Sequence, residues 1–599
     1  MLYTIERVKE EIAGMLDKKI TGLVSDFDVT ADLSYPPSPM MGDISFKTFR
    51  LVYTLQFGSC AQYQNLSTED ILQSLAEALS SYDFIDRIDN GLEAKSGYFN
   101  IFLRKEKLIN AVMSEILDLE DSYGKSEIGQ HKRVMVEFSS PNTNKPLHLG
   151  HLRNISLGDA MCRILKFSGY EVIAATLLND RGVHIAKAML AYQKWGAEKE
   201  PDKKSDHFVG DFYVLFERQY QQHPELLDEA RLMLREWEAG KPEVVALWQK
   251  IVSWAEEGFQ ETYRKLGVRF DHTYYESKIY TEGRELVLDA LKKGFVSTGP
   301  DGEVVARLEQ YGLPDKVLLR SDGTSLYITQ DIYLAKLKFD EYHLDFSIYC
   351  IGSEQELQMR ILFQILDMMG VVSKEKLYHL SYGMVFLPEG KMKSREGKVV
   401  DADDLVTELE QLARTEIIAR IPHGEVLSDA EQQHRANTIA LAALKYYLLF
   451  PAEKSPLTFD PQQSLSFTGS TGPYILYTIA RMKSILRKAE SAEPWDMPVG
   501  ADGLLDFSLE NVEEEEYAVV MQCAKFPEAV AAAAQHYDPS LIAKHLLELA
   551  QRVNTFYHSH SVLDASEGIR DFRLSLMRAA IIVLSNGMRL LGSEILEEM

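Results

Sequence analysis

The sequence predicts an α/β protein in three parts: a parallel-sheet domain in the middle, a smaller α+β domain before it and an all-helical domain after it. Three observations carry this. The strand-type run RVMVEF (133–138) leads through the polar turn SSPNTNKP into a helix-type segment starting near Leu149, the opening of a nucleotide-binding α/β unit. A second strand-type run, EVIAATLL (171–178), follows that helix. Beyond about residue 405 the apolar pattern is helical almost to the end, with Gly469, Gly472 and Pro473 marking one interruption.

In chain order, residues 1–122 mix helical runs with short apolar stretches such as Tyr98 to Leu103. The polar, glycine-containing DSYGKSEIGQHK then reads as a linker into the second part, 123–404. Between about 195 and 265 that part is charged and helical, which marks an insertion; the strand-type runs KVLLRS and FSIYCIG return before SYGMVFL. Residues 405–599 form the helical third part, and no internal repeat or low-complexity segment interrupts the whole.

Length agrees with several domains, because single cores rarely grow beyond roughly 250–300 residues and this chain has 599. An apolar content of 46% with 10% aromatics supplies enough core to exclude disorder as a description of the whole. Cys60, Cys162, Cys350 and Cys523 lie far apart and form no CxxC pair, so neither a disulfide framework nor a cysteine-based zinc site is expected, and the usage suits a reducing cytoplasm. The N-terminal MLYTIERVKEEIAGML is charged throughout, unlike a signal peptide, and no apolar run offers a membrane span. A net charge of −26 argues against a wholly non-specific nucleic-acid binder. An acidic chain can still hold RNA on local basic surfaces, for which Arg104, Lys105 and Lys107, and the stretch Arg481, Lys483, Arg487, Lys488, are candidates.

The sharpest chemical signal is PLHLGHLRN, with His148, Gly150 and His151 directly after the strand and loop. A helix N-terminus presents free N–H groups and the positive end of the dipole, which suits phosphate. Two imidazoles three apart can add hydrogen bonds to a polyphosphate, and Gly150 leaves room for an adenine ring against the backbone. Two histidines at a helix start can equally be ordinary surface residues. Downstream, GKMKSREGKVV crowds Lys391, Lys393 and Arg395 into a glycine-flanked loop that could close on β- and γ-phosphates. Between the two, Tyr327 and Asp331 are four apart and share a helix face; with Glu276 they would form an acidic socket for a cation. A guanidinium, with five donors in a planar fork, favours such carboxylates. Read one at a time, Asp331 and Glu276 could also be plain surface charges.

Together the two cationic motifs resemble the paired signatures of class I aminoacyl-tRNA synthetases, written HIGH and KMSKS in that family and HLGH and KMKSR here. More specifically, EFSSPNTNKPLHLGHLRN, LLNDRGVHI, SDGTSLYITQDI, IGSEQELQ and GSTGPYILYTIARMKSIL are similar to arginyl-tRNA synthetase segments in family order, over roughly residues 130–599. The resemblance implies a Rossmann-type catalytic domain, a helical anticodon-binding domain of the DALR type, and an N-terminal domain that contacts the tRNA D-loop. It implies ATP with its Mg²⁺, L-arginine and tRNA(Arg) as substrates, no protein-bound structural metal, and a cytoplasmic monomer. By the same resemblance Ser140 and Asn142 hold the α-amino group of arginine with Glu137 close by and His151 adjoining. Tyr327, Asp331 and Glu276 read the guanidinium, and Gln355 orients the substrate. His148, Gly150, His151, Lys391 and Ser394 would form the ATP site. Tyr474, Tyr477 and Arg481 would face the anticodon and Asn100 the D-loop, since exposed aromatics are the physical means of stacking splayed bases. One departure stands out: Ser394 replaces the second KMSKS lysine. Lys145, just ahead of HLGH, is the position the family uses to compensate, leaving the role of Lys393 open. Three rivals remain at this level: a class I synthetase for another amino acid, a nucleotidyltransferase that never touches RNA, and a non-catalytic RNA-binding paralogue.

Overall fold

The computed structural model describes residues 2–21, 28–57, 67–89, 98–386, 388, 400–420, 427–452, 454–492, 498–500, 505–507 and 512–599. At the N-terminus the strands β1 (Leu33–Ser34), β2 (Ile44–Lys47), β3 (Ile85–Asp89) and β4 (Tyr98–Leu103) form an antiparallel sheet in the order β1-β2-β4-β3. Helices Thr4–Thr21, Thr68–Leu79 and Lys105–Leu119 accompany it. The second of these starts at a capping box, Ser67 accepting from the Asp70 N–H while the Asp70 carboxylate accepts from Ser67 N–H.

The central sheet is parallel throughout. Its strands β5 (Arg133–Glu137), β6 (Glu171–Leu178) and β7 (His272–Tyr275) run outward in chain order on one side, while β11 (Phe346–Gly352) and β12 (Leu377–Tyr382) lie on the other side of β5. The order β12-β11-β5-β6-β7 therefore reverses direction between β5 and β11, and a crevice at the carboxyl ends of these strands is where open α/β sheets bind ligands. The crossover from β5 to β6 is the helix Leu149–Phe167, which is buried along most of its length between the sheet and the C-terminal helices. Gly158 permits that packing, since a Cβ there would come within 2.2 Å of the Phe138 ring.

KVLLRS forms a strand, as its apolar pattern predicts. Its strand β10 (Lys316–Leu319) does not join the parallel sheet but pairs antiparallel with β9 (Val304–Ala306), which pairs with β8 (Ser297–Thr298). A strand-type apolar run fixes neither partner nor direction, and here the helix Gly283–Lys292 and this small sheet have their own core. The insertion is helical as expected: Ser205–Tyr220, Leu226–Glu238 and Pro242–Lys265 pack with Val183–Trp195 around Tyr192, Phe208, Phe212 and Trp254. SYGMVFL ends in β13 (Val385–Phe386), which pairs in parallel with β14 (Leu457–Thr458) of the helical part.

The C-terminal part consists of long helices, among them Ala402–Arg420, Asp429–Leu449, Gly472–Ala492, Ser540–Ser559 and Glu567–Leu590. Gly472 and Pro473 start a helix; a Cβ on Gly472 would meet the Ala442 carbonyl oxygen at 2.3 Å, so the close crossing needs glycine. The segment 121–132, read from composition as a linker, is a run of turns held in place rather than a loose tether. Tyr123 is fully buried, packs against Tyr3 and Phe526, and its carbonyl accepts from Asn586 Nδ2 over 3.2 Å. One hydrophobic core consequently runs from the N-terminal helix through Leu149–Phe167 into the C-terminal helices.

Candidate active site

Where the sheet order reverses, a cavity of about 950 Å³ opens, lined by Glu137 from β5, Cys350 and Gly352 from β11, His148 and His151, and Asp331. A smaller cavity of about 280 Å³ adjoins it and shares Asn142, Tyr327 and Asp331 while adding Glu276 and His184. Of the site residues expected from the sequence, Glu137, Ser140, Asn142, His148, Gly150, His151, Glu276, Tyr327, Asp331 and Gln355 all line one or both cavities. Lys391, Lys393, Ser394 and Arg395 lie outside the described residues.

The turn after β5 is held in an uncommon shape. Ser139 and Ser140 both have left-handed backbones, at φ 69° and 47°, each costing on the order of 1 kcal/mol for a residue with a Cβ. The surroundings impose it: Ser139 N–H donates to Asn154 Oδ1, Ser139 Oγ meets Tyr263 OH at 2.7 Å, and Ser140 N–H donates to Thr176 Oγ1 over 3.2 Å. Asn179 Nδ2 donates to Ser140 carbonyl oxygen over 3.2 Å. The result aims Ser140 and Asn142 into the cavity, and the residues that do the aiming, Asn154, Asn179 and Tyr263, were not legible as such in the sequence.

His148 is the N-cap of helix Leu149–Phe167. Its Nδ1 accepts from Gly150 N–H over 3.1 Å, and its own N–H donates to His151 Nδ1 over 3.1 Å. An Nδ1 that accepts has its lone pair there, so each neutral ring carries its proton on Nε2 and both present Nε2–H as a donor. The rings sit 3.9 Å apart between centroids. Burial, and then the Lys145 charge, pushes His148 down to about 4; burial, His148 and Lys145 push His151 well below its usual range. Burial alone lowers Lys145. These histidines are thus donors by tautomer rather than by charge.

A measurable consequence follows. The ring resonances of His148 should stay flat from pH 8 to 5 in an NMR titration and move only near 4; a midpoint near 6.5 would mean an open, solvated ring. In the unfolded chain the same rings protonate near pH 6.5, so the contribution of these two rings to stability falls as pH drops below about 6.5.

The acidic side of the cavity is formed by three carboxylates, two of which have internal cations. Glu137 is buried against the ammonium of Lys338, which is 0% exposed. Glu276, 6% exposed, faces Arg181 Nη1 at 3.7 Å. Asp331 is open to cavity water but enclosed by protein on its other sides, and burial followed by repulsion from Glu137 lifts it to about 7. Burial likewise raises Glu276 to about 7, Arg181 opposing and Asp180 and Asp331 reinforcing. Tyr327, 72% exposed, stands over the mouth one turn before Asp331. Gln355 ends the short 3₁₀ turn after β11 and is exposed at the rim. Lys338 escaped notice although it lies seven residues after Asp331, on the same helix face, and Arg181 and His184 follow the end of β6, where strand-end residues meet ligands.

Comparison with known proteins agrees with this geometry. The profile "tRNA synthetases class I (R), catalytic domain" matches residues 112–453 and "DALR anticodon binding domain" matches 475–599. The chain belongs to the class I arginine–tRNA ligases. It is 43% identical over 575 residues to the arginine–tRNA ligase of Treponema denticola, covering 95% of each chain. It is 39% identical to that of Bacteroides fragilis over 605 residues, covering 97% of this chain and 99% of that one. The solved arginyl-tRNA synthetase of Thermus thermophilus superposes with a TM-score of 0.79 at 26% identity, over 99% of this chain and 100% of that one. The parallel-sheet domain and the helical C-terminal region are those of this ligase family, ATP is its substrate, and the rivals with another amino acid or without RNA fall away.

The residues expected to face RNA differ in character. Tyr477 is 37% exposed and meets Phe467 edge-on, whereas Tyr474 is half-buried and its hydroxyl accepts from Asn554 Nδ2 over 3.0 Å. The Arg481 guanidinium lies 4.0 Å from the centre of the Tyr557 ring. Asn100 sits in β4 with its Oδ1 accepting from Ser45 Oγ over 2.7 Å. The basic stretch is less free than its sequence suggests. Lys483 pairs with Glu597 at 2.6 Å and Arg487 with Glu598 at 3.0 Å, while Lys107 pairs with Asp83. Among the described residues no helix is long and apolar enough to cross a membrane.

Proposed function

We propose that the cavity activates L-arginine and passes it to the 3′-terminal adenosine of tRNA(Arg). One observation carries this reading: two neutral imidazoles presenting Nε2–H at a helix N-terminus share a cavity with a carboxylate socket. The helix N-terminus and the imidazoles bind the ATP phosphates, with Lys145 and the loop lysine Lys391 supplying positive charge and Gly150 and Ser394 completing the nucleotide site. Mg²⁺ arrives on the phosphates as part of the substrate. Among the described residues the single cluster of three candidate metal ligands, Asp206, His207 and Asp403, already has Lys204 Nζ within 2.9 Å of two of its carboxylates, so no step is assigned to it.

At the other end Asp331, Glu276 and Tyr327 hold the guanidinium, Ser140, Asn142 and Glu137 the α-amino group, and Gln355 the rim. The arginine carboxylate attacks the α-phosphorus of ATP, a carboxylate–phosphorus bond forming as the bond to pyrophosphate breaks. No side chain need act as nucleophile, because alignment and charge neutralisation suffice. The 2′-hydroxyl of the terminal adenosine then attacks the adenylate carbonyl and releases AMP. Editing is unnecessary, since lysine would leave buried carboxylates unpaired. The tRNA lies with its anticodon along Tyr474, Tyr477 and Arg481 and its D-loop near Asn100, activation waits for bound tRNA, and the protein works as a cytoplasmic monomer.

Charging of total tRNA with each labelled amino acid, run beside ATP–pyrophosphate exchange with and without tRNA, tests the reading. Charging confined to arginine, with exchange that needs tRNA, is the expected result. Exchange at full rate without tRNA would remove the dependence, and charging with another amino acid would overturn the socket.

A further inference from the structure

The segment Asn179–His184 leaves β6 at the edge of the smaller cavity, and the proposed roles use none of its charged residues. Its Arg181 is a guanidinium built into the protein beside the socket proposed for a substrate guanidinium. The Arg181 side chain is only 13% exposed and lies 4.0 Å from the centre of the Tyr280 ring. Nη2 pairs with Glu238 Oε1 at 2.6 Å, and Nη1 faces Glu276 Oε1 at 3.7 Å. Gln330 bridges the pair: with its amide nitrogen turned toward Glu276 it donates to Oε1 over 3.0 Å and accepts from Arg181 Nη1 over 3.3 Å. Both contacts fall on Oε1. Glu276 Oε2 has no protein partner among the described residues, and Glu276 lines the cavity next to Asp331.

We infer that Arg181 is a positioning residue for substrate selection: with Gln330 it fixes Glu276 Oε1, favours the charged form of that carboxylate, and leaves Oε2 for the substrate. This rests on the reading of the socket given above. The geometry explains how two carboxylates sit together. Asp180 accepts from Ser277 N–H and Oγ at 2.8 and 2.6 Å and adds negative charge close by; Asp331 faces Glu276 across the cavity; His184, held neutral by burial, offers no cation. Arg181 is therefore the nearest positive group acting on Glu276, and Glu238 behind it holds it in place. Without that guanidinium, burial and the two neighbouring acids act on Glu276 unopposed and its proton is retained at higher pH.

The substitutions Arg181→Gln, Arg181→Lys and Glu276→Gln separate the possibilities, with kcat and KM for arginine measured from pH 6.5 to 8.5. Arg181→Gln should raise KM about tenfold at pH 6.5 and less than threefold at pH 8.5, with kcat nearly unchanged and the acidic limb of kcat/KM moved upward by at least one pH unit. Arg181→Lys, which keeps the charge, should restore the wild-type limb. A loss in Arg181→Gln that is equal at all pH values, or equal in Arg181→Lys, would overturn the inference in favour of a merely structural role. If Glu276→Gln raises KM while Arg181→Gln leaves it alone, the inference fails and the socket stands. If Glu276→Gln itself leaves KM for arginine unchanged, the socket reading fails.

Discussion

Replacing Asp331 by alanine will lower kcat/KM for arginine by about 2–5 kcal/mol, roughly thirty- to several-thousand-fold, while leaving the fold intact. The argument is one of charge balance. Glu137 has Lys338 and Glu276 has Arg181, so each carries its own cation; Asp331 is the carboxylate of the three that the protein leaves open to the cavity. A substrate guanidinium entering there completes the pairing, and deleting the acceptor strands a desolvated cation. Because Asp331 faces the cavity and is exposed, its removal should cost little stability. Asp331→Asn keeps the shape and separates charge from packing. Activity within threefold of wild type in both variants would remove Asp331 from the socket.

The sign of the pH effect is fixed by the same residues. Asp331 and Glu276 are each lifted to about 7, so both hold protons at pH values where free carboxyls have lost them. Between about pH 4 and 7 these two carboxyls hold more protons in the folded chain than in the unfolded one, so their contribution to stability declines as pH rises through that window, opposite in sign to the contribution of His148 and His151. Arginine reverses the balance: it binds the charged forms, releases protons, and its affinity weakens as pH falls below about 7.

How much of this was legible in the sequence varied with the kind of information each part needs. The HLGH helix, the strands at 133–138 and 171–178 and the helical insertion follow from local pattern, and local pattern decides them in the fold. The fate of KVLLRS is decided instead by which strand lies beside β10, a non-local matter that an apolar run does not encode. The sequence brought Tyr327 and Asp331 together because they are four apart on a helix, whereas spacing alone could not place Glu276 beside them. Arg181 and Lys338 stayed hidden because a lysine or arginine on a helix or loop is ordinarily solvated, and only the tertiary structure shows these two turned inward. The stretch around Lys483 shows the converse: the carboxylates that pair with Lys483 and Arg487 lie more than a hundred residues later and leave no local trace.

Lys338 yields the largest expected effect on stability. Its ammonium is fully buried beside Glu137, under the Tyr349 ring, whose centre is 4.5 Å away. Burial, the largest single influence, works to lower its pKa, but the charge and hydrogen bond of Glu137 together with Tyr349 and Asp331 outweigh it and the net direction is upward. A lysine shifted upward contributes stability that is fully present at neutral pH and lost only as pH rises through the shifted value. Lys338→Met fills a similar volume yet leaves Glu137 uncompensated, and breaking such a pair from one side costs about 3–5 kcal/mol. Denaturant unfolding should show that loss at pH 7. The variant Lys338→Met/Glu137→Met should recover most of it, because a pair replaced whole by apolar groups costs far less than a pair broken in half. The two variants should part in function: Glu137 ends β5 in the cavity, so the double variant would regain its fold without regaining arginine activation. A single variant as stable as wild type would mean that water or another cation reaches Glu137, and the charge balance assigned to Asp331 would have to be redrawn.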